Sequence, residues 1–309
     1  MIPCFNEEKT IGQVIKEIPR RIAGIDSVKV LLIDDGCTDN SVKAAKQTGV
    51  DKIFSHARNL GLAVSFKDGL EQALKMKADI IVNIDADGQY NGKEIPKLLE
   101  PLIKEQADLV LSDRRVAKLS HMPFKKRWGN RLSTFITRLV SGYPVRDAQS
   151  GFRAFSRETA LRLNIVSEYT YVQETIIQAA KRKFKIAEVP CEFRKRDDDS
   201  RLISSIWSYA KKAGLTIIRT YMLYRPLKIF LSIGTLIFLT GLAVGWKVIY
   251  RYLTTGNVTP FLPTAILTAI LLIIGFQIIV MGLLADLMDS NRKVNEEILY
   301  RLKKSELEK

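Results

Sequence analysis

Two apolar runs near the carboxyl terminus, residues 227–250 and 261–287, constrain this chain more than any other feature. The first carries only Lys228 and Lys247, near its ends, where their stems can snorkel to lipid headgroups. The second is free of charge until Asp286. Each exceeds the roughly 20 residues that cross a bilayer as a helix, and buried core helices of such length and uniformity are rare. Neither run is N-terminal, so neither reads as a signal peptide. Only residues 251–260 join them, which forces a helical hairpin.

Charge orients that hairpin. Lys211, Lys212, Arg219 and Arg225 precede the first run, and Arg292, Lys293, Arg301, Lys303 and Lys304 follow the second. The connection holds Arg251 alone. The positive-inside rule then puts the large N-terminal part and the C-terminal tail in the cytoplasm. A net charge of +15 suits a protein lying on anionic membrane lipid. Nucleic acid is the usual alternative for so basic a chain, but no nucleic-acid motif occurs and the hairpin argues against it. Cys4, Cys37 and Cys191 are few, odd in number and without ligand spacing, so reduced thiols are expected. His56 and His121 are too sparse for a metal site.

The composition changes at about Pro226, and the part before it alternates strand and helix patterns. Strands are expected at 28–33, 52–55, 80–84 and 109–112, and helices at 10–21, from Ser41, at 61–77 and at 95–106. The segment 34–40 is a turn that caps the helix from Ser41. This alternation implies an α/β domain with a doubly wound, mostly parallel sheet, whose ligands sit beyond the carboxyl ends of the strands. The start is odd, because Met1-Ile2-Pro3 leaves almost no first strand. A start codon placed too late or a trimmed chain would account for it.

The strand at 80–84 runs into Asp85-Ala86-Asp87-Gly88-Gln89. Side chains alternate along a strand, so Asp85 and Asp87 share a side if the extended geometry persists. Two hard oxygen donors there suit Mg²⁺ or Mn²⁺ carried in on a diphosphate. A polar loop after a buried strand has the same appearance, since D-x-D alone is common. Residues 114–146 contain nine Lys or Arg and no acid, with Phe124, Trp128, Leu132, Phe135 and Ile136 interleaved. A solvated basic face is one reading; the total absence of acids beside a Trp and two Phe favours a surface that meets anionic headgroups. Residues 200–224 repeat the theme just ahead of the first span, as an interfacial helix would.

Taken in order, five segments resemble a family-2 glycosyltransferase of GT-A fold, more narrowly the polyprenyl-phosphate sugar transferases. They are Ile2-Pro3-Cys4-Phe5-Asn6-Glu7-Glu8, Asp34-Asp35-Gly36-Cys37-Thr38-Asp39, Asn59-Leu60-Gly61, Asp85-Ala86-Asp87-Gly88-Gln89, and 147–155 with its Asp147, Gln149 and Arg153. The hairpin agrees with the anchored members of that group. The resemblance implies a membrane-bound inverting enzyme that moves a sugar from a UDP- or GDP-linked donor to a polyprenyl or dolichyl phosphate, with Mg²⁺ or Mn²⁺. It implies that Pro3, Phe5, Glu7, Ile33, Asp35 and Ala86 line the nucleotide pocket, and that Asp85, Asp87 and Gln89 hold the metal and the donor diphosphate. Arg114 would approach both phosphates, with Arg127, Arg131 and Arg153 on the acceptor phosphate. Phe5 stands where Tyr is usual, Cys37 where Ser is usual, and Ser112-Asp113-Arg114 replaces Gly-Ser-Arg. These departures bear on nucleotide preference more than on the reaction.

Several residues keep two readings. Asp147 either acts at the acceptor as a base or holds its loop by pairing with Arg146 or Arg153; the positioning role is favoured, because a phosphate acceptor needs no base. Glu174 either caps the acceptor site or lies on the surface. Asp197, Asp198 and Asp199 form either a solvated turn or a loop over the donor site. A processive polysaccharide synthase is disfavoured, since no Q-x-x-R-W occurs and two spans make no channel. A non-catalytic membrane scaffold would have no reason to keep Asp85, Asp87 and Arg114 together. The expected organisation is a catalytic domain at 1–199 with a basic acceptor segment at 114–146, interfacial helices at 200–226, the hairpin at 227–287 and a charged cytoplasmic tail at 288–309. A homo-oligomer remains open.

Overall fold

The computed structural model describes residues 1–116, 119, 122–166, 171–195 and 226–307. It divides into two units, Met1–Ser204 with Ile298–Lys309, and Ser205–Glu297. The expected interfacial stretch at 200–224 and the Asp197, Asp198, Asp199 run lie outside the described residues.

In the first unit, β1 (Ile2–Cys4), β2 (Leu31–Asp34) and β3 (Lys52–Ser55) pair in parallel in that order. A second group runs β4 (Ile80–Asn83), β6 (Arg153–Ser156), β5 (Leu109–Asp113), β7 (Ile186–Pro190). Two bonds join the groups edge to edge: the Met1 amine donates to Val82 O at 2.6 Å, and Ile84 N–H donates to Met1 O at 3.2 Å. Strand β6 is the exception to parallel order, antiparallel to β4 and β5, while β5 and β7 are parallel. The mostly parallel sheet expected from the sequence is found, with β6 as the antiparallel strand among the described ones. Four residues beginning with an arginine carry no strand pattern, which is why β6 escapes a reading of periodicity.

Alternation along the strands splits the core between two faces. Leu31, Ile33, Leu109, Leu111 and Phe155 face one cluster; Leu32, Val110 and Ala154 face the other. Helix α3 (Leu62–Lys75) covers the first with Ala63, Phe66, Leu70 and Leu74, spaced as one helical stripe. Phe66 stacks on Tyr171, ring centroids 3.7 Å apart. The opposite face is covered by α1 (Ile11–Glu17) through Ile11, Val14 and Ile15, and by α4 (Ile95–Ile103) through Leu98 and Leu99. The crossover α2 (Ser41–Gln47) starts where expected, but Asp39 rather than its neighbour Asn40 caps it, accepting from Ser41 N–H at 3.0 Å. Helices α5 (Phe124–Ser141), α6 (Arg157–Arg162) and α7 (Val172–Lys181) complete the unit.

The second unit contains α8 (Pro226–Thr255) and most of α9 (Leu262–Leu307), joined through a short turn at Thr259–Phe261. They pack as an antiparallel hairpin. A Cβ on Gly275 would lie 2.7 Å from Phe238 N, one on Gly245 would lie 2.6 Å from Thr268, and one on Gly282 would lie 2.7 Å from Phe230. Small residues at close backbone approach are how helices associate where lipid removes the hydrophobic drive. Leu236, Trp246, Ile273 and Phe276 point outward, an exposed apolar surface that water does not tolerate. The end of α9, within the charged tail expected at 288–309, is tied to the first unit. Within the first unit Tyr300 is buried, its hydroxyl donates to Glu158 at 3.1 Å and its ring lies under the Arg162 guanidinium. Leu307, one heptad on, packs against the same core.

Candidate active site

The strand order gathers the functional segments at one edge. Strands β1, β2, β4 and β5 run the same way, so residues 5–7, 34–37, 84–90 and 113–115 all leave the sheet there. Antiparallel β6 begins at that edge, which brings in the preceding loop 147–152. Parallel sheets bind ligands at the carboxyl ends of their strands for this reason.

At the ends of β1 and β2, Phe5 is exposed and Pro3 is buried within β1. Glu7 N–H donates to Ser41 Oγ at 2.8 Å, and Glu7 O accepts the first bonds of α1. Asp35 is buried and already partnered. Its Oδ1 accepts from Leu60 N–H and lies 2.8 Å from His56 Nδ1; its Oδ2 accepts from Gly61 N–H at 2.9 Å. A carboxylate offers about four lone-pair sites, and the described residues occupy three of them, leaving one on Oδ2. Two expected pocket residues are elsewhere. The Ile33 side chain is fully buried under α3, and the Ala86 side chain is buried while its carbonyl accepts from Thr10 Oγ1 at 2.8 Å. Neither side chain lines a pocket, because both complete the hydrophobic core.

Strand β4 stops at Asn83, and a turn follows with Gly88 at φ 72°. The alternation that would put Asp85 and Asp87 on one side does not extend to them. A different constraint fixes Asp85: a Cβ on Gly151 would come within 2.5 Å of its Oδ2. Asp87 Oδ1 accepts from Gln89 N–H at 3.1 Å. Gln89 O accepts from Arg194 N–H at 2.8 Å, and Tyr90 forms a bridge with Phe193. Among the described residues no group of three His, Cys, Asp or Glu side chains gathers as a metal site. Asp85, Asp87 and Gln89 would offer two carboxylates and an amide oxygen, a hard donor set that leaves coordination positions over. That fits Mg²⁺ or Mn²⁺, which keep waters and substrate phosphates as ligands, and does not fit a closed structural zinc site.

A second cluster is built around Arg114, the residue just after β5. Its Nε donates to Asp147 Oδ2 at 2.6 Å, and its Nη2 donates to Asp147 Oδ1 at 2.8 Å and to Asn130 Oδ1 at 3.0 Å. The Phe193 ring centroid lies 5.0 Å from the guanidinium carbon. Asp147 is buried and accepts twice more, from Arg114 N–H at 3.4 Å and Gln149 N–H at 3.1 Å. Burial raises the Asp147 carboxyl, but the hydrogen bonds and charge of Arg114 outweigh it and hold the group below its ordinary value. Asp147 therefore pairs with Arg114, not with Arg146 or Arg153.

The remaining arginines separate. Arg153 is fully buried, its Nε donating to Ser150 O at 2.7 Å and its Nη2 to Ala148 O at 3.2 Å, with Val172 O and Thr175 Oγ1 as further acceptors. It ties loop 147–151 to α7 and does not reach an acceptor surface, a correction to its expected place on the lipid phosphate. Arg127 is partly buried, donating to Leu119 O and Met122 O, and its buried Nε has no partner among the described residues. Arg131 is exposed one turn further along α5. Glu174 Oε1 accepts from Val166 N–H at 3.1 Å and Gln178 Nε2 at 3.1 Å, so it fastens the 164–166 segment.

Some residues here escaped the sequence reading. Tyr90, Ser112 and Ser150 form a buried hydroxyl chain, with Tyr90 OH accepting from Gly151 N–H at 3.2 Å, and this locks loop 150–151 beside loop 85–90. Asn130 and Phe193 steady Arg114, and His56 links Asp35 to Asp68. All are long-range pairings that no local spacing marks.

Residues 1–162 match the family described as Glycosyl transferase family 2, and residues 225–289 match the GtrB C-terminal hairpin. The UDP-N-acetylglucosamine--dolichyl-phosphate N-acetylglucosaminyltransferase of Methanococcus voltae is 33% identical over 214 residues, covering 62% of this chain and 82% of that one. The undecaprenyl-phosphate mannosyltransferase of Micrococcus luteus is 26% identical over 208 residues, 64% of this chain and 83% of that one. Among solved structures, glucosyl-3-phosphoglycerate synthase from Mycobacterium tuberculosis with Mn²⁺, UDP and phosphoglyceric acid aligns with a TM-score of 0.55 at 22% identity, over 72% of this chain and 75% of that one. Fold and apolar hairpin together define a membrane-anchored glycosyltransferase of GT-A fold. The chain belongs to glycosyl transferase family 2.

Proposed function

We propose that this chain moves a sugar from a UDP- or GDP-linked donor onto a polyprenyl or dolichyl phosphate at the cytoplasmic face of the membrane, in one inverting displacement. The Arg114–Asp147 pair carries the reading. A general base needs an open lone pair and a pKa near the working pH. Asp147 has four donors on its oxygens and a lowered pKa, so it serves poorly as a base. A sugar or protein hydroxyl would need that base; a lipid phosphate is already an anion.

Arg114 supplies what a phosphate acceptor does need. With Nε and Nη2 committed, its Nη1 hydrogens have no protein acceptor among the described residues and are free to meet phosphate oxygens. Asp147 and Asn130 fix the plane of the guanidinium, so that its Nη1 hydrogens are held in place for charge-assisted phosphate contact. Arg127 and Arg131, on the same basic helix, add charge against the repulsion between the two phosphates. At the donor end Pro3, Phe5, Glu7 and Asp35 receive the nucleotide, and Asp85, Asp87 and Gln89 hold the diphosphate with Mg²⁺ or Mn²⁺. When bound, the cation neutralises charge developing on the leaving diphosphate.

The names of the two relatives, both polyprenyl-phosphate sugar transferases, support this acceptor class. The basic clusters flanking the hairpin support a cytoplasmic catalytic domain within 1–199, with 114–146 as the acceptor segment, 200–226 at the interface and 227–287 in the bilayer. The test is mass-spectrometric detection of sugar transfer to polyprenyl phosphate in detergent, across UDP- and GDP-sugars, with Mg²⁺ or EDTA. A metal-dependent glycosyl-phosphoryl lipid is the expected product. Transfer to a hydroxyl acceptor and none to the lipid phosphate would overturn the reading.

A further inference from the structure

Cys4 ends β1 and Cys37 lies in the turn that follows β2, and the fold brings their sulfurs to 4.0 Å. The two strands are neighbours, with Cys4 opposite Asp34 in parallel register. The turn then folds back over β1. Asp35 N–H donates to Cys4 O at 2.9 Å, Cys37 N–H donates to Asp34 Oδ1 at 2.8 Å, and Cys37 Sγ lies 3.5 Å from the same Cys4 O. The loops beyond are clasped to each other, since Thr38 N–H donates to Asn6 Oδ1 at 2.8 Å and Asn6 Nδ2 donates to Thr38 Oγ1 at 3.2 Å. Cys4 is buried, whereas Cys37 is partly exposed and its sulfur accepts from Asn6 N–H at 3.3 Å. One sulfur thus meets solvent with a donor that favours its thiolate, and a second lies buried behind it. That is the arrangement of a reactive cysteine beside a resolving one.

We propose that Cys4 and Cys37 are a redox modification site, a thiol pair that hydrogen peroxide converts to a disulfide and a dithiol reductant restores. The Cys37 thiolate attacks the peroxide O–O bond and keeps one oxygen as a sulfenic acid; the other leaves as hydroxide and takes up a proton. The Cys4 sulfur then attacks the Cys37 sulfur, the Cys37 S–O bond breaks, and the Cys4 proton leaves with that oxygen as a second water. In all, two thiols lose two electrons and two protons, and one peroxide becomes two waters. The hydrogen bond with Cys37 is the largest influence raising the Cys4 thiol, ahead of burial, and oxidation of Cys37 removes it. Thiols that are reduced at rest agree with this, because cytoplasmic disulfides are transient and redox-sensing.

The sulfurs must close from 4.0 Å to about 2 Å, so the turn has to move. It has backbone directly against it: a Cβ on Gly36 would come within 2.6 Å of the Arg58 carbonyl carbon. Asp35 sits in the same turn, held by the Leu60 and Gly61 N–H groups. Drawing Cys37 toward β1 pulls Asp35 off those donors and weakens its hold on a nucleotide. This consequence rests on the donor site proposed above; formation of the bond does not.

The full chain in detergent is treated with hydrogen peroxide, blocked with iodoacetamide and mapped by mass spectrometry without reduction. The expected product is a peptide pair linked through Cys4 and Cys37 and cleaved by dithiothreitol. Cys191 should stay unmodified, since it is buried and its thiol is pushed up to about 12. Cys4→Ala removes the resolving sulfur, so dimedone trapping of the Cys37 sulfenic acid should rise several-fold over wild type. Sulfinic acid at Cys37 without a linked peptide, or equal dimedone labelling of both chains, would overturn the proposal. Fluorescent UDP and GDP are then titrated into reduced and oxidised wild-type chain. Loss of one hydrogen bond to a charged group should weaken binding about tenfold after oxidation, with recovery in dithiothreitol. Unchanged affinity would overturn the effect on the nucleotide. A reduced chain that binds neither nucleotide would be a failure of the donor-site reading, which the linked peptide, read without nucleotide, keeps separate.

Discussion

Arg114 Nε stands 2.6 Å from Asp147 Oδ2, and the two side chains are almost sealed from solvent. Removing one member of a buried pair leaves the other charge uncompensated, which costs about 3–5 kcal/mol. Asp147→Asn should therefore lower the melting temperature in detergent and disorient Arg114, cutting transfer to lipid phosphate more than nucleotide binding. The pH dependence has a definite sign. The folded state holds the Asp147 carboxyl below its ordinary 3.8, so its stabilisation is complete above that value and is lost as pH falls through the folded pKa. The gap in melting temperature between wild type and Asp147→Asn should close below about pH 4. A gap that stays constant would mean that charge pairing is not the source of the stability.

Gly151 stands where any side chain would strike Asp85, with 2.5 Å between a Cβ and Oδ2. Gly151→Ala should displace that carboxylate by a fraction of an ångström to an ångström. Displacements of that size far from bond-making lower turnover about 100-fold. We expect Gly151→Ala to resemble Asp87→Ala, folded and membrane-bound but without metal-dependent turnover. Normal Mg²⁺ dependence in either variant would remove the metal assignment.

The parts of this structure legible in the sequence are those set by local pattern. The strand at Lys52–Ser55, the start of α2 at Ser41 and the start of α4 at Ile95 fall where spacing puts them. Strand β6 was not legible because Arg153 opens it, and a buried arginine satisfied by four protein acceptors has no local signature. The same residue shows why site assignment goes astray: an arginine inside a motif looks like a phosphate ligand until its burial is known. Ile33 and Ala86 follow the same logic, since each lies inside a motif while its side chain is buried in the core. The Asp147–Arg114 pairing spans 33 residues and is fixed only when β5 and β6 lie side by side.

Cys37 Sγ lies 4.0 Å from Cys4 Sγ, close beside Asp34 at the donor edge. The hydrogen bond between Cys37 and Cys4 lowers the Cys37 thiol below an ordinary cysteine, while that bond and burial raise Cys4. Burial also pushes Cys191 up to about 12. The thiolate is the nucleophile, so iodoacetamide at pH 8 should alkylate Cys37 first, and bound nucleotide should slow it. Peptide mapping checks the order. Equal labelling of all three, or no protection, would detach Cys37 from the donor pocket.

His56 sits between two carboxylates, its Nδ1 2.8 Å from Asp35 and its Nε2 3.0 Å from Asp68. Asp35 keeps its backbone donors from Leu60 and Gly61 without the imidazole, but loses the lateral tie that fixes its plane. In the proposed role of Asp35, its Oδ2 then points less reliably toward the nucleotide. Ground-state binding that is equal in the transition state appears in KM alone. His56→Ala should accordingly raise KM for the nucleotide sugar about tenfold, a loss of about 1.4 kcal/mol, with kcat nearly unchanged. Asp68→Asn should act in the same direction and more weakly, because it leaves the Asp35 contact in place. A fall in melting temperature with KM unmoved would make His56 a packing residue. A fall in kcat alone would place it at the reacting centre, contrary to its position behind Asp35.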